Sequence, residues 1–516
     1  MFRIGITFIL VLLSQTITIS AMTVTPACAL YGGFDGCATR SDSDIVDYLS
    51  DKWNVKFSNN NSIVIFKNGQ EKFDDLFSAL REARQSIHLE YFNFRNDSIS
   101  SCLFEILKEQ VRAGVKVRAL FDGFGNSSNN KPLKRSYLDS LRKSGIEIYE
   151  FDPMRFPYIN HAIHRDHRKI VVIDGMIAYT GGMNVADYYI KGKPEFGDWR
   201  DIHARVEGDA VGSLQRVFIN FWNKITGQDI SGAKYFPGEK DASKYFLNLP
   251  KDEDSTAGKK RIGVVNRDPY ASPKIIHDTF VRAIDGAQKQ IQIINPYFTL
   301  CPHIKKALKK AIKRGVDVQV MVSAKSDIPI TPRIVEYNVH HLMRNGAKVY
   351  FYLGGFHHSK IMMVDSLYSF IGSANLNSRS LSFDYECNLL IADVPTTKHL
   401  QDIFEIDKHQ RCIMLTPAIW RKVSKWKKFK GWFFHFLTPF VENERGNRLN
   451  PTKGEYTEHL EMKKTWNKKE GICLNVEDWF KSGNHSSGMP YIFSGIIKNI
   501  PGMIPTNSLI SSTSHE

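Results

Sequence analysis

Cysteine is scattered and unpaired along this chain: Cys28, Cys37, Cys102, Cys301, Cys387, Cys412 and Cys473 include no Cys-x-x-Cys. That spacing argues against a structural zinc site and against a disulfide framework. Acidic residues are in short supply, 54 against 69 lysines and arginines, which leaves a net charge of +15. A surplus of that size favours a polyanionic partner, either nucleic acid or an anionic membrane face. Long apolar runs are missing beyond the N-terminus. There, Arg3 precedes the stretch 4–13, which weakens through 14–20 and is followed by Ala27-Cys28-Ala29. Residues 1–29 read as a secretory signal peptide or an uncleaved membrane anchor, and a lipoprotein signal at Cys28 fits less well. With no later span to return the chain, each reading puts the rest of the protein across the membrane from Arg3.

The chain's main pattern is stated twice. Phe77-Ser-Ala-Leu-Arg-Glu-Ala-Arg-Gln-Ser-Ile87 resembles Phe280-Val-Arg-Ala-Ile-Asp-Gly-Ala-Gln-Lys-Gln-Ile291. Val111-Arg-Ala-Gly-Val-Lys-Val matches Ile312-Lys-Arg-Gly-Val-Asp-Val, and Leu141-Arg-Lys-Ser-Gly-Ile matches Leu342-Met-Arg-Asn-Gly-Ala. The offset, about 200 residues, is the size of one domain. In each block a helix-period run closes on a glycine and a β-branched run follows, which predicts an α/β fold with a mixed, mostly parallel sheet in each half. The expected division is 45–248 and 263–412 for the two halves, with 249–262 as a polar linker.

Both halves carry one chemical motif. His167-Arg-Lys169-Ile-Val-Val-Ile-Asp174 precedes Gly181-Gly182-Met-Asn184, and His358-Ser-Lys360-Ile-Met-Met-Val-Asp365 precedes Gly372-Ser373-Ala-Asn375. One such match would be weak; two copies in register with the repeat are specific. Read as strands, the runs project His and Lys, two apart, onto the same face, where a nucleophile and a cation can meet one phosphate. Asp174 and Asp365 belong to the motif and so to the candidate catalytic set, but their odd spacing from the lysine turns them away, as scaffold. Across a pseudo-two-fold axis, His167, Lys169, Asn184, His358, Lys360 and Asn375 would surround a single phosphodiester. One imidazole attacks phosphorus while the other moves the proton of the leaving and entering alcohols. The lysines and the asparagine amides hold the charged oxygens. His161, His164 and His167 stand three apart, as metal ligands can, but the repeat lacks the first two, so no metal is expected.

These motifs resemble the phospholipase D superfamily. The run from Arg165 to Asn184, Asn295-Pro-Tyr-Phe, and Gly372-Ser-Ala-Asn-Leu-Asn-Ser-Arg-Ser with Glu386 beyond are similar to bacterial cardiolipin synthases in particular. The likeness spans residues 63–441. It implies two tandem phospholipase-D-like domains sharing one active site, a phosphohistidine intermediate formed preferentially on His167, and no cofactor. It also implies that Asp201 orients His167 and that Glu386 orients His358. The resemblance further implies phosphatidyl transfer between two phosphatidylglycerols at a bacterial membrane surface, with nucleic acid not expected as a partner. The alternatives are hydrolysis on the same scaffold, by a phospholipase D or a secreted nuclease, and an inactive lipid-binding module, which the intact motifs disfavour. Cardiolipin synthases usually begin with two membrane helices; the single apolar segment here predicts catalytic halves on the extracytoplasmic side.

Residues 413–441 form a basic aromatic segment. Trp420, Val423, Trp426, Phe429, Phe433, Phe436 and Leu437 follow the helical period over 420–440, with lysines and arginines between them. An amphipathic helix of that composition suits the headgroup layer of an anionic bilayer, or else docks on the protein's own surface. The tail 442–516 carries no functional signal, and oligomeric state is not legible.

Overall fold

A computed structural model describes residues 41–153, 163–237 and 258–441. The N-terminal apolar segment, His161, most of the expected linker and the tail 442–516 lie outside the described residues. Among the described residues, no helix is long and apolar enough to cross a membrane.

The first half contributes β1 (Phe57–Phe66), β2 (Ser86–Tyr91), β3 (Lys116–Asp122), β4 (Glu147–Phe151), β5 (Lys169–Ile173), β6 (Ile177–Gly181), β7 (Asp198–Arg200) and β8 (His203–Gly208). The second contributes β9 (Lys260–Arg267), β10 (Gln290–Ile294), β11 (Asp317–Ser323), β12 (Lys348–Tyr352), β13 (Gly355–His357), β14 (Ile361–Val364), β15 (Tyr368–Gly372), β16 (Glu386–Ala392) and β17 (Cys412–Met414). Fifteen strands form one sheet in the order β17-β12-β11-β10-β14-β15-β16-β9-β1-β8-β6-β5-β2-β3-β4. Apart from the edge strand β17, this order is a palindrome about the antiparallel β1–β9 pair, where Phe57 faces Gly263. A pseudo-two-fold axis through that pair relates the halves.

The repeated helix–glycine–strand blocks build the outer part of each half. Gly114, Gly145, Gly315 and Gly346 all have positive φ, from 90° to 110°. A residue without a Cβ closes each helix there and releases the chain into a strand. Those strands pair in parallel, β2–β3–β4 and β10–β11–β12. The motif strands β5 and β14 instead run antiparallel to their neighbours, because a short Asp-centred turn returns each directly to β6 or β15.

Helices cover both faces, so strand residues are buried on either side and read as continuous apolar runs. One face packs as a separate core in each half, around Leu103, Phe104 and Val171 in the first and Leu308, Val339 and Met362 in the second. The other face is common to both: Ile170, Val172, Ile361 and Met363 pack with Leu214 and Phe404 from the helices Asp209–Thr226 and Val394–Arg411.

The expected boundaries shift in two places. The helix Ser41–Trp53, assigned by position to the first half, docks on the second: Ile45, Val46 and Leu49 join its core, and Lys52 reaches Asp278 at 2.8 Å. The polar linker also ends sooner than its composition suggests. Lys260 opens β9 and its ammonium meets Asp393 at 3.0 Å, while Ile262 is buried against Ile391. A lysine at a strand end reads as solvated until its carboxylate partner, 133 residues away, is known.

The basic aromatic segment also differs from expectation. It breaks into two helices, Pro417–Lys422 and Lys425–Val441. Val423 is extended, and Ser424 restarts the helix by accepting the amide of Lys427 on its hydroxyl at 3.3 Å.

Candidate active site

Two short parallel ribbons carry the histidines across the axis. In one, Tyr385 donates its amide to the Arg165 carbonyl at 2.8 Å and accepts the His167 amide at 3.0 Å. In the other, β13 pairs with β7, and the His358 amide donates to the Arg200 carbonyl at 2.6 Å. Each motif histidine therefore stands beside the segment that precedes the other half's acid.

The side chains complete this crossing. His167 Nδ1 lies 3.0 Å from Glu386 Oε1, and His358 Nδ1 lies 2.7 Å from Asp201 Oδ2. Asp201 and Glu386 do each engage a histidine, but the expected pairing is reversed: each acid serves the histidine of the opposite half. The acids sit at the entrances to β8 and β16, next to the axis, and it is the pre-motif segment that crosses to reach them. With Nδ1 held by a carboxylate, Nε2 is the ring nitrogen left for chemistry.

Lys169 Nζ donates to the His167 carbonyl at 2.6 Å, and Lys360 Nζ donates to that of His358. Burial pulls the Lys169 ammonium down to about 8 and that of Lys360 to about 7, and Lys169 is among the charges that depress Lys360. Burial likewise lowers both histidines, His358 to about 4 with Lys360 adding to the effect, while Glu386 and Asp201 pull the other way. Burial alone would raise the two acids. For Glu386, His167 and Lys169 outweigh it; for Asp201, Lys360 and His358 do, so both stay below the usual carboxylate range. The result is a pair of acids held ionised, imidazoles that favour the neutral form and cations destabilised by burial, a charge balance that favours an anionic ligand.

Asn184 and Asn375 are buried, and the side-chain Oδ1 of each has no hydrogen-bond partner among the described residues. An unpartnered buried amide oxygen is suited to a ligand's hydroxyl, and with the amide turned its NH2 would face a ligand oxygen. Phe92 stands edge-on to His167 at 5.2 Å, and Trp199, Phe356 and Tyr297 ring His358 at 5.8, 5.5 and 5.9 Å. These rings cover part of each imidazole with apolar surface.

Asp174 and Asp365 do not face this site. Asp174, with φ of 52°, accepts the amides of Arg84, Gln85 and Ser86, all at 2.8 Å. Asp365, with φ of 53°, accepts those of Gln288, Lys289 and Gln290 at 2.7–2.9 Å. Each motif aspartate pins the far end of its strand to the start of β2 or β10. Their place in the candidate catalytic set is corrected to that of turn anchors.

Two features were not anticipated from the sequence. Ser373 donates its hydroxyl to Glu386 and accepts the Cys387 amide at 3.0 Å. Its counterpart Gly182 has no such group, and a Cβ there would lie 2.3 Å from Asp201 Oδ1. The second is a buried ionic layer behind His167: Arg168 meets Glu90 at 2.9 Å and Arg165 meets Asp122 at 3.0 Å. The Arg165-Asp166 dipeptide next to the motif was the available signal for it. His164 turns Nδ1 to the Phe383 carbonyl at 2.8 Å, away from any shared cluster with His167. Among the described residues, no group of three or more His, Cys, Asp or Glu is placed to hold a metal ion.

A duplicated α/β fold whose halves exchange partners to build one His–Lys–Asn site defines a phospholipase-D-type phosphoryl-transfer enzyme. The family model for the cardiolipin synthase PLD-like domain matches residues 76–197 and 280–408. A cardiolipin synthase of Listeria monocytogenes is 32% identical over 384 residues, 74% of this chain and 76% of the relative. One from Halalkalibacterium halodurans is 35% identical over 354 residues, 68% and 67% of the two chains, and a probable cardiolipin synthase of Bacillus subtilis is 32% identical over 357. The crystal structure of phosphatidylserine synthase from Haemophilus influenzae superposes with a TM-score of 0.58 at 15% identity, covering 78% of this chain and 99% of that one. The chain belongs to the cardiolipin synthase family of phosphatidyltransferases.

Proposed function

We propose that this enzyme joins two phosphatidylglycerol molecules into cardiolipin and glycerol, with His167 as nucleophile. The observation that carries the reading is the crossed pair of His–carboxylate dyads, each presenting Nε2 from a different half. His167 Nε2 attacks phosphorus, the bond to the leaving glycerol breaks, and His358 supplies that oxygen with a proton. The hydroxyl of the second phosphatidylglycerol then gives its proton to His358 and attacks the phosphohistidine, which frees His167. Lys169, Lys360, Asn184 and Asn375 hold the phosphoryl oxygens through both steps. Burial and Lys360 favour the neutral His358 imidazole, and a phosphate monoanion beside it raises its affinity for the proton that the first step requires.

Transfer wins over hydrolysis when the second lipid is held close and water is kept out. A bilayer supplies neighbouring glycerol headgroups, and the aromatic walls around His358 limit water. Membrane association follows from this reading, and the apolar stretch 4–13 after Arg3 supports catalytic halves on the extracytoplasmic side. Purified enzyme given phosphatidylglycerol vesicles should yield cardiolipin and glycerol by mass spectrometry. Phosphatidic acid as the main product would make it a hydrolase.

A further inference from the structure

The helix Lys425–Val441 takes no part in the site, yet it carries a continuous exposed aromatic row. Trp426 is 62% exposed, Phe429 47%, Trp432 48%, Phe433 40% and Phe436 55%. These rings stack on one another: Trp426 on Phe429 at 5.5 Å, Phe429 on Phe433 at 6.1 Å, Trp432 on Phe436 at 6.1 Å. The opposite side of the helix is the one packed on the protein. A Cβ on Gly431 would lie 2.7 Å from the Arg333 carbonyl, and His435 lies 4.8 Å from Tyr337, both on the helix Thr331–Arg344. The aromatic row is therefore turned outward by the packing that anchors the helix.

Charge accompanies it. Arg421, Lys422, Lys425, Lys427 and Lys430 are exposed on or just before this helix, and residues 412–441 contain no aspartate or glutamate. The row is also linked through neighbouring residues to the surroundings of His358. Ile328 and Ile330 are 46% and 36% exposed and lead straight into the helix whose first turn packs against Gly431. The preceding residue, Asp327, accepts the Tyr297 hydroxyl at 2.6 Å, and the Tyr297 ring is 5.9 Å from that of His358.

We propose that the aromatic row of Lys425–Val441, together with Ile328 and Ile330, seats the enzyme on an anionic bilayer so that the catalytic mouth opens at headgroup depth. The proposal rests on the reading that the substrates are lipids. A row of stacked aromatics on a segment, 412–441, that carries lysines and no acid suits an anionic layer beside an apolar one, and an anionic bilayer presents both in order. Exposed rings this numerous and contiguous mark a contact face.

The test uses the full chain and vesicles of phosphatidylglycerol with phosphatidylcholine, or phosphatidylcholine alone, in sedimentation assays, beside turnover of a soluble aryl phosphodiester. Wild-type should bind the anionic vesicles preferentially. The triple variant Trp426→Ser, Phe429→Ser, Phe433→Ser should bind about tenfold or more weakly while soluble turnover stays within about twofold. Should that variant fail to fold, Lys427→Glu with Lys430→Glu, on the exposed side, should abolish the preference for anionic vesicles. Unchanged vesicle binding by either variant overturns the proposal. So does a wild-type dimer that the triple variant breaks without affecting vesicle binding, which would make the row a self-association face. Wild-type that binds anionic vesicles but forms no cardiolipin refutes the proposed reaction and leaves the docking surface standing.

Discussion

Replacing Lys360 with methionine should remove activity and stabilise the fold. Lys360 is buried, and burial, aided by Lys169, lowers its ammonium from 10.5 to about 7. Holding a proton there at pH 7 costs the folded state roughly 4 kcal/mol relative to the unfolded chain. Methionine fills similar volume without charge, but forfeits the hydrogen bond from Nζ to the His358 carbonyl, about 1.5–3 kcal/mol for a charged donor. The variant should therefore be more stable at pH 7 by about 1–3 kcal/mol. The pH dependence fixes the sign. Between about 7 and 10.5 the unfolded lysine still binds a proton that the folded one has released, so wild-type gains stability as pH rises through this window and the variant does not. The advantage of K360M should shrink by about 3 kcal/mol between pH 7 and pH 9.5. Denaturant melts at the two pH values measure it. Turnover of a soluble phosphodiester should fall at least about a hundredfold, since a donor to the developing charge is lost. In wild-type, kcat/KM should decline above about pH 7–8 as Lys360 and then Lys169 lose their protons. A variant less stable than wild-type at pH 7, or an advantage that persists unchanged at pH 9.5, would refute the reasoning.

The crossed dyads predict that Glu386→Gln reports on His167 and Asp201→Asn on His358. Glu386→Gln should suppress formation of the acid-labile phosphoenzyme by about 10²–10⁴, whereas an aryl leaving group that needs no proton should rescue Asp201→Asn far more; equal rescue would contradict the assignment. Asp174→Asn keeps one oxygen for the Gln85 and Ser86 amides and tolerates the positive φ, but loses the acceptor for Arg84. It should cost about 2 kcal/mol of stability with kcat per folded molecule unchanged, and a large loss of kcat at full stability would return Asp174 to the chemistry.

The repeat, the two motifs and the facing of His and Lys were legible because each is a local pattern: strand period 2 decides which side chains share a face. The resemblance pointed to Asp201 and Glu386 as partners of the histidines but paired each with the wrong one. Spacing within one half cannot say which segment crosses the axis, and the crossing depends on ribbons between residues 219 and 157 positions apart. The same blindness explains the helix Ser41–Trp53, whose apolar stripe names a core without saying whose. At 420–440 the period was right and the continuity wrong, since a serine that can cap a helix start looks, in a pattern count, like any polar position.

A perfect two-fold would make the histidines interchangeable, yet the proposed reaction needs one neutral nucleophile and one proton carrier. The structure departs from symmetry where this matters. Ser373 donates to Glu386, whereas Gly182 leaves no room for any side chain beside Asp201. The His167 side chain is 15% exposed and that of His358 only 7%. Trp199, Tyr297 and Phe356 surround His358, while among the described residues Phe92 stands edge-on to His167 at 5.2 Å. An entering phosphodiester thus meets His167 more openly, and a proton placed on His358 is better shielded from bulk water. Ionic groups back both sides differently: Arg168 pairs with Glu90 on the His167 side, where Ser359 is its counterpart, and Arg200 pairs with Asp407 beside His357 on the His358 side. Duplication supplied two equivalent dyads, and these departures separate their roles. In the proposed reaction attack comes from the more open side, His167, and proton transfer from the more enclosed one, His358.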